Sequence, residues 1–367
     1  MKAMFRVDAS AQMGSGHLMR CLTLAEVLRE RGVHTSFICR EHAGNLICLL
    51  VQKGMPVTVL PAQGAKAASN GDDYAAWLGV TPAVDAEQTI NAMGGAKPDW
   101  LVVDHYGLNI DWERRLRAHV ARLLAIDDLA GRHHDCNALL DQNYSVETEP
   151  RYAGLVPPTC KLLLGPQYAL LRKEFKAMRD RLAPRAHNLK RILVFITSGN
   201  DQGETLKAMR GIELFGKAES VDVVVGRENP SNAEIGTMCE GLGWGYHCQV
   251  DYMPSLIAQA DLAIGAGGSS NWERCALGVP ALVVILAENQ APIAHALDHA
   301  GVICNLGWCR DVKPSDYARA LDAMSHDRLA AMTKSSLALV DARGAERVAD
   351  ALLATCPSAC TELRQAS

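Results

Sequence analysis

The 367-residue chain has no Cys-x-x-Cys pair among its twelve cysteines, no apolar run that approaches a bilayer span, no excess of basic residues and no short-period repeat. Each absence removes a class of function. Irregular cysteine spacing argues against a zinc ribbon or a disulfide scaffold, so the cysteines read as small buried hydrophobes. Without roughly 20 consecutive apolar residues no membrane-crossing helix is expected. Arg6 and Asp8 fall within the first ten residues, so the start does not read as a signal peptide, and the expected location is cytoplasmic with no stable membrane association. Thirty-seven Lys and Arg against 41 Asp and Glu, with a net charge of −4, leave no concentrated positive surface for nucleic acid. What remains is an ordinary soluble composition, 49% hydrophobic and 21% charged, on a chain long enough for two cores.

Strand-like and helix-like runs alternate along the whole chain, the pattern of an α/β protein with parallel sheets. In the first half, strands are expected at 4–9, 35–40, 56–61, 100–104, 123–127, 138–141 and 161–164, mostly as continuous apolar runs suited to strands covered on both faces. Leu18 to Arg31 has helical periodicity ended by Gly32, with Arg20, Thr23, Glu26 and Glu30 on a polar stripe. The second half restarts with strands at 191–197, 221–226, 260–264 and 281–286. Two Rossmann-like domains are therefore expected, 1–170 and 188–355. The Arg- and Lys-rich segment 171–187 is read as the link between them, and 356–367 as a polar tail.

Two glycine loops stand between strand and helix patterns, one near each end of the chain. In parallel sheets such loops gather where ligands bind. Gly14-Ser15-Gly16-His17 lets the backbone approach a ligand and presents helix-start N–H groups to an anion, with a potential general base, His17, beside them. Asp8 and Asp104, at strand ends in the same half, are the preferred partners for orienting His17. Asp127, Asp128 and Asp141 occupy similar places, where acidic residues also serve as plain caps. His133-His134-Asp135-Cys136 makes a poor tetrahedral site because adjacent ligands lack a companion pair, so no metal is expected. The second loop, Gly265-Ala266-Gly267-Gly268-Ser269-Ser270, is followed by Glu273 one turn into a helix and by Asn289 after the next strand. Gly268, Ser269 and Ser270 offer donors to a diphosphate, and Glu273 an acceptor for ribose hydroxyls.

The stretch Gly265 to Gln290 resembles the donor-binding segment of GT-B enzymes. Arg6-Val7-Asp8-Ala9-Ser10, Gly14-Ser15-Gly16-His17, Arg20-Cys21-Leu22, Ile126-Asp127-Asp128-Leu129, Asp141-Gln142-Asn143, Gly165-Pro166 and Trp272-Glu273-Arg274-Cys275 together resemble the UDP-2,4-diacetamido-2,4,6-trideoxy-β-L-altropyranose hydrolases of pseudaminic acid biosynthesis, a route to flagellin glycosylation. That resemblance implies a GT-B fold whose two parallel sheets face an interdomain cleft. It also implies a metal- and cofactor-independent inverting hydrolase that acts on a UDP-sugar. His17 would be its base. The nucleotide would be held by Gly268, Ser269, Ser270, Glu273 and Asn289, with Gly14, Ser15, Gly16 and Tyr106 on the sugar side. Two stretches depart from the family pattern: Ser198 stands in place of a glycine in Thr197-Ser198-Gly199-Asn200-Asp201, and Ser269-Ser270-Asn271 replaces a more Ser/Thr-rich run. A glycosyltransferase of the same architecture, a UDP-sugar-binding module without turnover, and a hydrolase of another nucleotide sugar remain open.

Overall fold

The computed structural model describes residues 1–10, 12–62, 74–145 and 151–355; the tail expected at 356–367 lies outside them. The chain divides into two compact units. The first comprises Met1–Asn143, Glu147–Leu170 and Arg343–Ser367, and the second Tyr144–Val146 and Leu171–Ala342.

The first unit is built on seven strands: β1 (Lys2–Val7), β2 (His34–Arg40), β3 (Val57–Leu60), β4 (Trp100–Asp104), β5 (Leu123–Ile126), β6 (Ala138–Asp141) and β7 (Lys161–Leu164). They form one sheet in the order β3-β2-β1-β4-β5-β6-β7, and every pairing is parallel. All seven lie where the apolar runs place them. Side chains alternate between two cores: Trp100 and Val102 join the cluster of Phe5, Leu24 and Phe37, while Leu101 and Val103 join Trp112 and Leu139 on the other face. Phe5 sits opposite Phe37 in the register, and their rings stack at 4.9 Å.

The helix Gly16–Glu30 buries Leu18, Cys21, Leu22, Ala25 and Leu28 against this sheet. It stops where Gly32, at φ 79°, returns its N–H to the Arg29 carbonyl. Arg20 and Thr23 do not form a solvated stripe. Both are buried, at 7% and 4% exposure.

The second unit carries six further strands: β8 (Arg191–Phe195), β9 (Ser220–Val225), β10 (Gly245–Cys248), β11 (Leu262–Ala266), β12 (Ala281–Ile285) and β13 (Ile303–Trp308). Their order is β10-β9-β8-β11-β12-β13, again with parallel pairing throughout. The two strands that the apolar runs did not reveal, β10 and β13, are the two edges of this sheet.

The domain boundaries differ from those expected. The helix Gly344–Leu353, read as the end of the second domain, belongs to the first unit. Ala345, Val348, Ala349 and Leu352 enter its core, and Trp100 Nε1 donates to the Leu352 carbonyl at 3.2 Å. Gly344 is needed there because a Cβ would lie 2.2 Å from the Ala169 oxygen. Nor is 171–187 a free link. It contains the helix Lys173–Arg179, and Arg179 and Arg185 donate to the carbonyls of Ala276, Leu337, Val340 and Leu277 within the second unit.

Candidate active site and nucleotide site

In a sheet ordered 3-2-1-4-5, the chain reverses direction between β1 and β4, and loops leaving those strands diverge to open a crevice. His17 follows β1, and Asp104 ends β4. His17 Nδ1 lies 2.6 Å from Asp104 Oδ1. Arg20, one helical turn after His17, closes on the same carboxylate with Nε to Oδ2 at 2.6 Å and Nη2 to Oδ1 at 2.7 Å. Its Nη1 reaches Asp128 Oδ2 at 2.9 Å, and Asp128 in turn accepts from the Tyr106 hydroxyl. The Tyr106 ring meets His17 edge-on, with centroids 4.6 Å apart.

Asp104 is wholly buried, and burial alone would raise its pKa. Arg20 and then His17 outweigh that cost and hold the carboxyl well below the usual carboxylate range. An ionised Asp104 accepts only, so His17 Nδ1 donates to it and Nε2 is the nitrogen left to act as a base. The arrangement fixes a tautomer and an orientation for a general base. His17 keeps 11% of its side chain exposed, whereas Asp104 keeps none.

Asp8 is placed elsewhere. It makes no hydrogen bond to His17; it accepts from Arg6 Nη1 and the Arg40 backbone N–H, both at 2.6 Å. His42 Nε2 and His105 Nε2 face its second oxygen at 3.5 and 3.6 Å. Arg6 and Arg40 also share the buried Asp85, which takes a further bond from Trp112 Nε1. Asp8 therefore braces the end of β1 through a buried ionic network, a structural place rather than contact with the base. His105 Nδ1 accepts the Gly107 N–H at 2.9 Å, so its Nε2 carries hydrogen, and burial lowers its pKa to about 4.

The first glycine loop is a tight bracket. Gly14, at φ 73°, donates to the Ser10 carbonyl at 2.8 Å, a conformation that suits glycine. Gly16 opens the helix, and Ser15 at its cap makes no side-chain capping bond. Among the described residues the first-turn N–H groups thus have no capping side chain. The tempting run 133–136 resolves into a structural cluster: His134 Nδ1 lies 2.7 Å from Glu113 Oε1, and its Nε2 faces Asp127 Oδ2 at 3.6 Å. Among the described residues no three His, Cys, Asp or Glu side chains gather as metal ligands.

In the second unit the corresponding reversal lies between β8 and β11, and the second glycine loop leaves β11. Its glycines have distinct reasons. A Cβ on Gly265 would strike Arg274 Nη1 at 2.4 Å and the Phe195 oxygen at 2.8 Å, and one on Gly267 would crowd Gln290 at 3.2 Å. Gly268 meets only Gln290 Nε2 at 3.9 Å, so its backbone is open. Ser269 is exposed, while Ser270 and Glu273 are half-buried. Arg274 is buried and donates to Ser270 Oγ at 3.2 Å and to the Ala266 carbonyl at 3.0 Å. A crevice lined by Ser270, Glu273, Arg274, Phe195, Met253 and Ile257 adjoins the loop. Burial raises the Glu273 pKa, with Arg172 and Arg274 opposing it. Asn289 is exposed in the turn Glu288–Gln290, where Gln290 holds the chain by accepting from the Leu286 N–H at 3.0 Å.

No protein-family model matches the chain. It is 28% identical over 232 residues to the UDP-2,4-diacetamido-2,4,6-trideoxy-β-L-altropyranose hydrolase of Campylobacter jejuni, an alignment covering 63% of this chain and 72% of that protein. With the spore coat polysaccharide biosynthesis protein SpsG of Bacillus subtilis it shares 23% identity over 357 residues, covering 93% and 94% of the two chains. The crystal structure of MurG from Acinetobacter baumannii superposes with a TM-score of 0.65 at 14% identity, over 96% of this chain and 99% of that one. The chain has the two-domain GT-B type of fold, and its sequence is similar to that of the diacetamido-sugar hydrolase.

Two members of the site are not singled out by the sequence. Arg20 reads from sequence as part of a polar stripe with Thr23, Glu26 and Glu30. Asp128 reads from sequence as one of several strand-end acidic groups, open to a role beside His17 or to plain capping. The signal that could have found both is the surplus of acidic groups at the strand ends of the first half, which requires a buried cation. A third group, the rings of Tyr74 and Trp77, packs on Tyr106 at 4.9 and 6.0 Å and extends an aromatic wall beside His17.

Proposed function

We propose that the chain is a metal-independent inverting hydrolase that removes UDP from a UDP-linked 2,4-diacetamido-2,4,6-trideoxy sugar, with water activated by His17. The observation that carries this reading is the His17–Asp104–Arg20 arrangement, which leaves an imidazole nitrogen free and oriented. Water loses a proton to His17 Nε2 as its oxygen attacks the anomeric carbon. The bond from that carbon to the phosphate oxygen breaks, and UDP departs carrying the bonding electrons. Attack opposite the leaving group inverts the centre. UDP leaves as a stable anion, so no carboxylic acid is required to protonate it. In this reading Gly268, Ser269, Ser270, Glu273 and Asn289 hold the nucleotide, while Gly14, Ser15, Gly16 and Tyr106 face the sugar. Support for the substrate class comes from the similarity to the Campylobacter hydrolase, which also suggests the pseudaminic acid route and an intracellular nucleotide-sugar pool.

The test is UDP release from a panel of UDP-diacetamido sugars with EDTA present and no acceptor, followed by product NMR for the wild type and His17→Ala. The expected result is UDP and free inverted sugar from the wild type, with a loss of roughly 10²-fold or more in the variant. UDP-sugar binding without release would overturn the hydrolase in favour of a transferase that awaits its acceptor.

A further inference from the structure

Cys136 and Cys160 lie outside the groups used above. Cys136 ends the loop that leads into β6, and Cys160 immediately precedes β7. Their sulfur atoms are 3.5 Å apart. The backbone there is already paired, with the Lys161 N–H donating to the Asn137 carbonyl at 2.9 Å. The register sets Ala138 opposite Lys161, so the two cysteines stand one residue out of step where neighbouring strands begin, and their sulfurs have only to close from 3.5 Å to a bond of about 2.0 Å. Cys136 is buried, whereas Cys160 is half-buried. The two sulfurs differ in character as well as access. The Cys136 hydrogen bond and then cationic His134 hold Cys160 below the usual thiol range against the effect of burial, while that same contact pushes Cys136 up.

We propose that Cys136 and Cys160 form a redox-active dithiol that a small disulfide such as oxidised glutathione closes to an intramolecular bond. Cys160 thiolate attacks one sulfur of the small disulfide, its S–S bond breaks, and one glutathione thiolate leaves. Cys136 then loses its proton and attacks the Cys160 sulfur, releasing the second glutathione. The protein loses two electrons and two protons, and the oxidant becomes two thiols. The new bond ties the loop that carries Asp127, Asp128, Arg132 and His134 to the start of β7. Asp128 bonds Arg20 and Tyr106, so the tether acts on a loop that supports His17. This inference does not depend on the proposed substrate.

The full chain, native and with Cys48→Ser and Cys248→Ser to remove the thiols exposed among the described residues, is treated with oxidised glutathione, quenched with an alkylating agent and mapped by peptide mass spectrometry. The expected result is a Cys136–Cys160 linked peptide that disappears with dithiothreitol, and in Cys136→Ser a single glutathione retained on Cys160. Full alkylation of both cysteines after treatment, or a linkage formed only once the protein is unfolded by urea, would overturn the proposal. So would Cys160 free of glutathione in the Cys136→Ser protein.

Discussion

The two units hold their candidate groups under opposite conditions. In the first, Asp8, Asp85 and Asp104 are wholly buried, and each is matched to arginine. In the second, Ser269 and Asn289 stand in solvent, and Gly268 is only half-buried, with Gln290 Nε2 in ordinary contact range. A side chain that must move a proton gains from being oriented before any ligand arrives, and buried ion pairs supply that rigidity at a desolvation cost. Groups that only hold a ligand can remain hydrated until it comes. The comparison predicts that substitutions in the first unit change rate and folding together, while those in the second change affinity with little else.

The largest effect is expected for His17→Ala, a fall of roughly 10²–10⁴-fold in kcat with UDP affinity unchanged; an unchanged kcat would remove the contrast between the units. Asp104→Asn leaves Arg20 short of its counter-charge and offers His17 an amide in place of an anion. Urea unfolding of that variant should show a loss of about 3–5 kcal/mol. Leu352→Ala should destabilise the first unit by about 2–5 kcal/mol, through a cavity in its core, and hydrogen exchange should show the loss concentrated in β1 and β4 with β8 and β11 unaffected.

His134 supplies a pH test. Burial opposes its protonation, but the Asp127 carboxylate 3.6 Å from Nε2 and the hydrogen bond to Glu113 raise its pKa to about 9 from 6.5. The folded state holds this proton more tightly than the unfolded chain. The resulting stabilisation is therefore complete below about pH 6.5 and lost as pH rises through about 9, at most about 3 kcal/mol. Unfolding measured across that window should slope downward, and His134→Gln should flatten the slope. The smallest effect belongs to Ser269→Ala, about 0.5–1.5 kcal/mol in UDP affinity at constant kcat.

Much of the fold was legible because buried parallel strands are written as apolar runs, and β1, β4, β11 and β12 are buried nearly throughout. The strands β10 and β13 were not, since an edge strand keeps only partial cover. Gly245 to Cys248 has no buried residue, and β13 is interrupted by a bulge opposite Val283 and Val284. His17 and Asp104 were legible as a loop end and a strand end. Their contact with each other was one of several pairings open to the acidic residues. Arg20 was hidden by helical periodicity, which separates faces but cannot distinguish solvent from a buried carboxylate. The helix Gly344–Leu353 was misassigned because an apolar face does not name the core it enters.

The placement of that helix bears on the order in which the protein can assemble during synthesis. Almost all of the second unit is one continuous stretch, Leu171–Ala342, and can collapse once it has left the ribosome. The first unit emerges earlier, yet its core lacks Val348, Ala349 and Leu352, and Trp100 lacks its acceptor, until the chain has passed Leu353. The unit that begins first is thus completed only after the second has emerged, once Val348, Ala349 and Leu352 reach its apolar core.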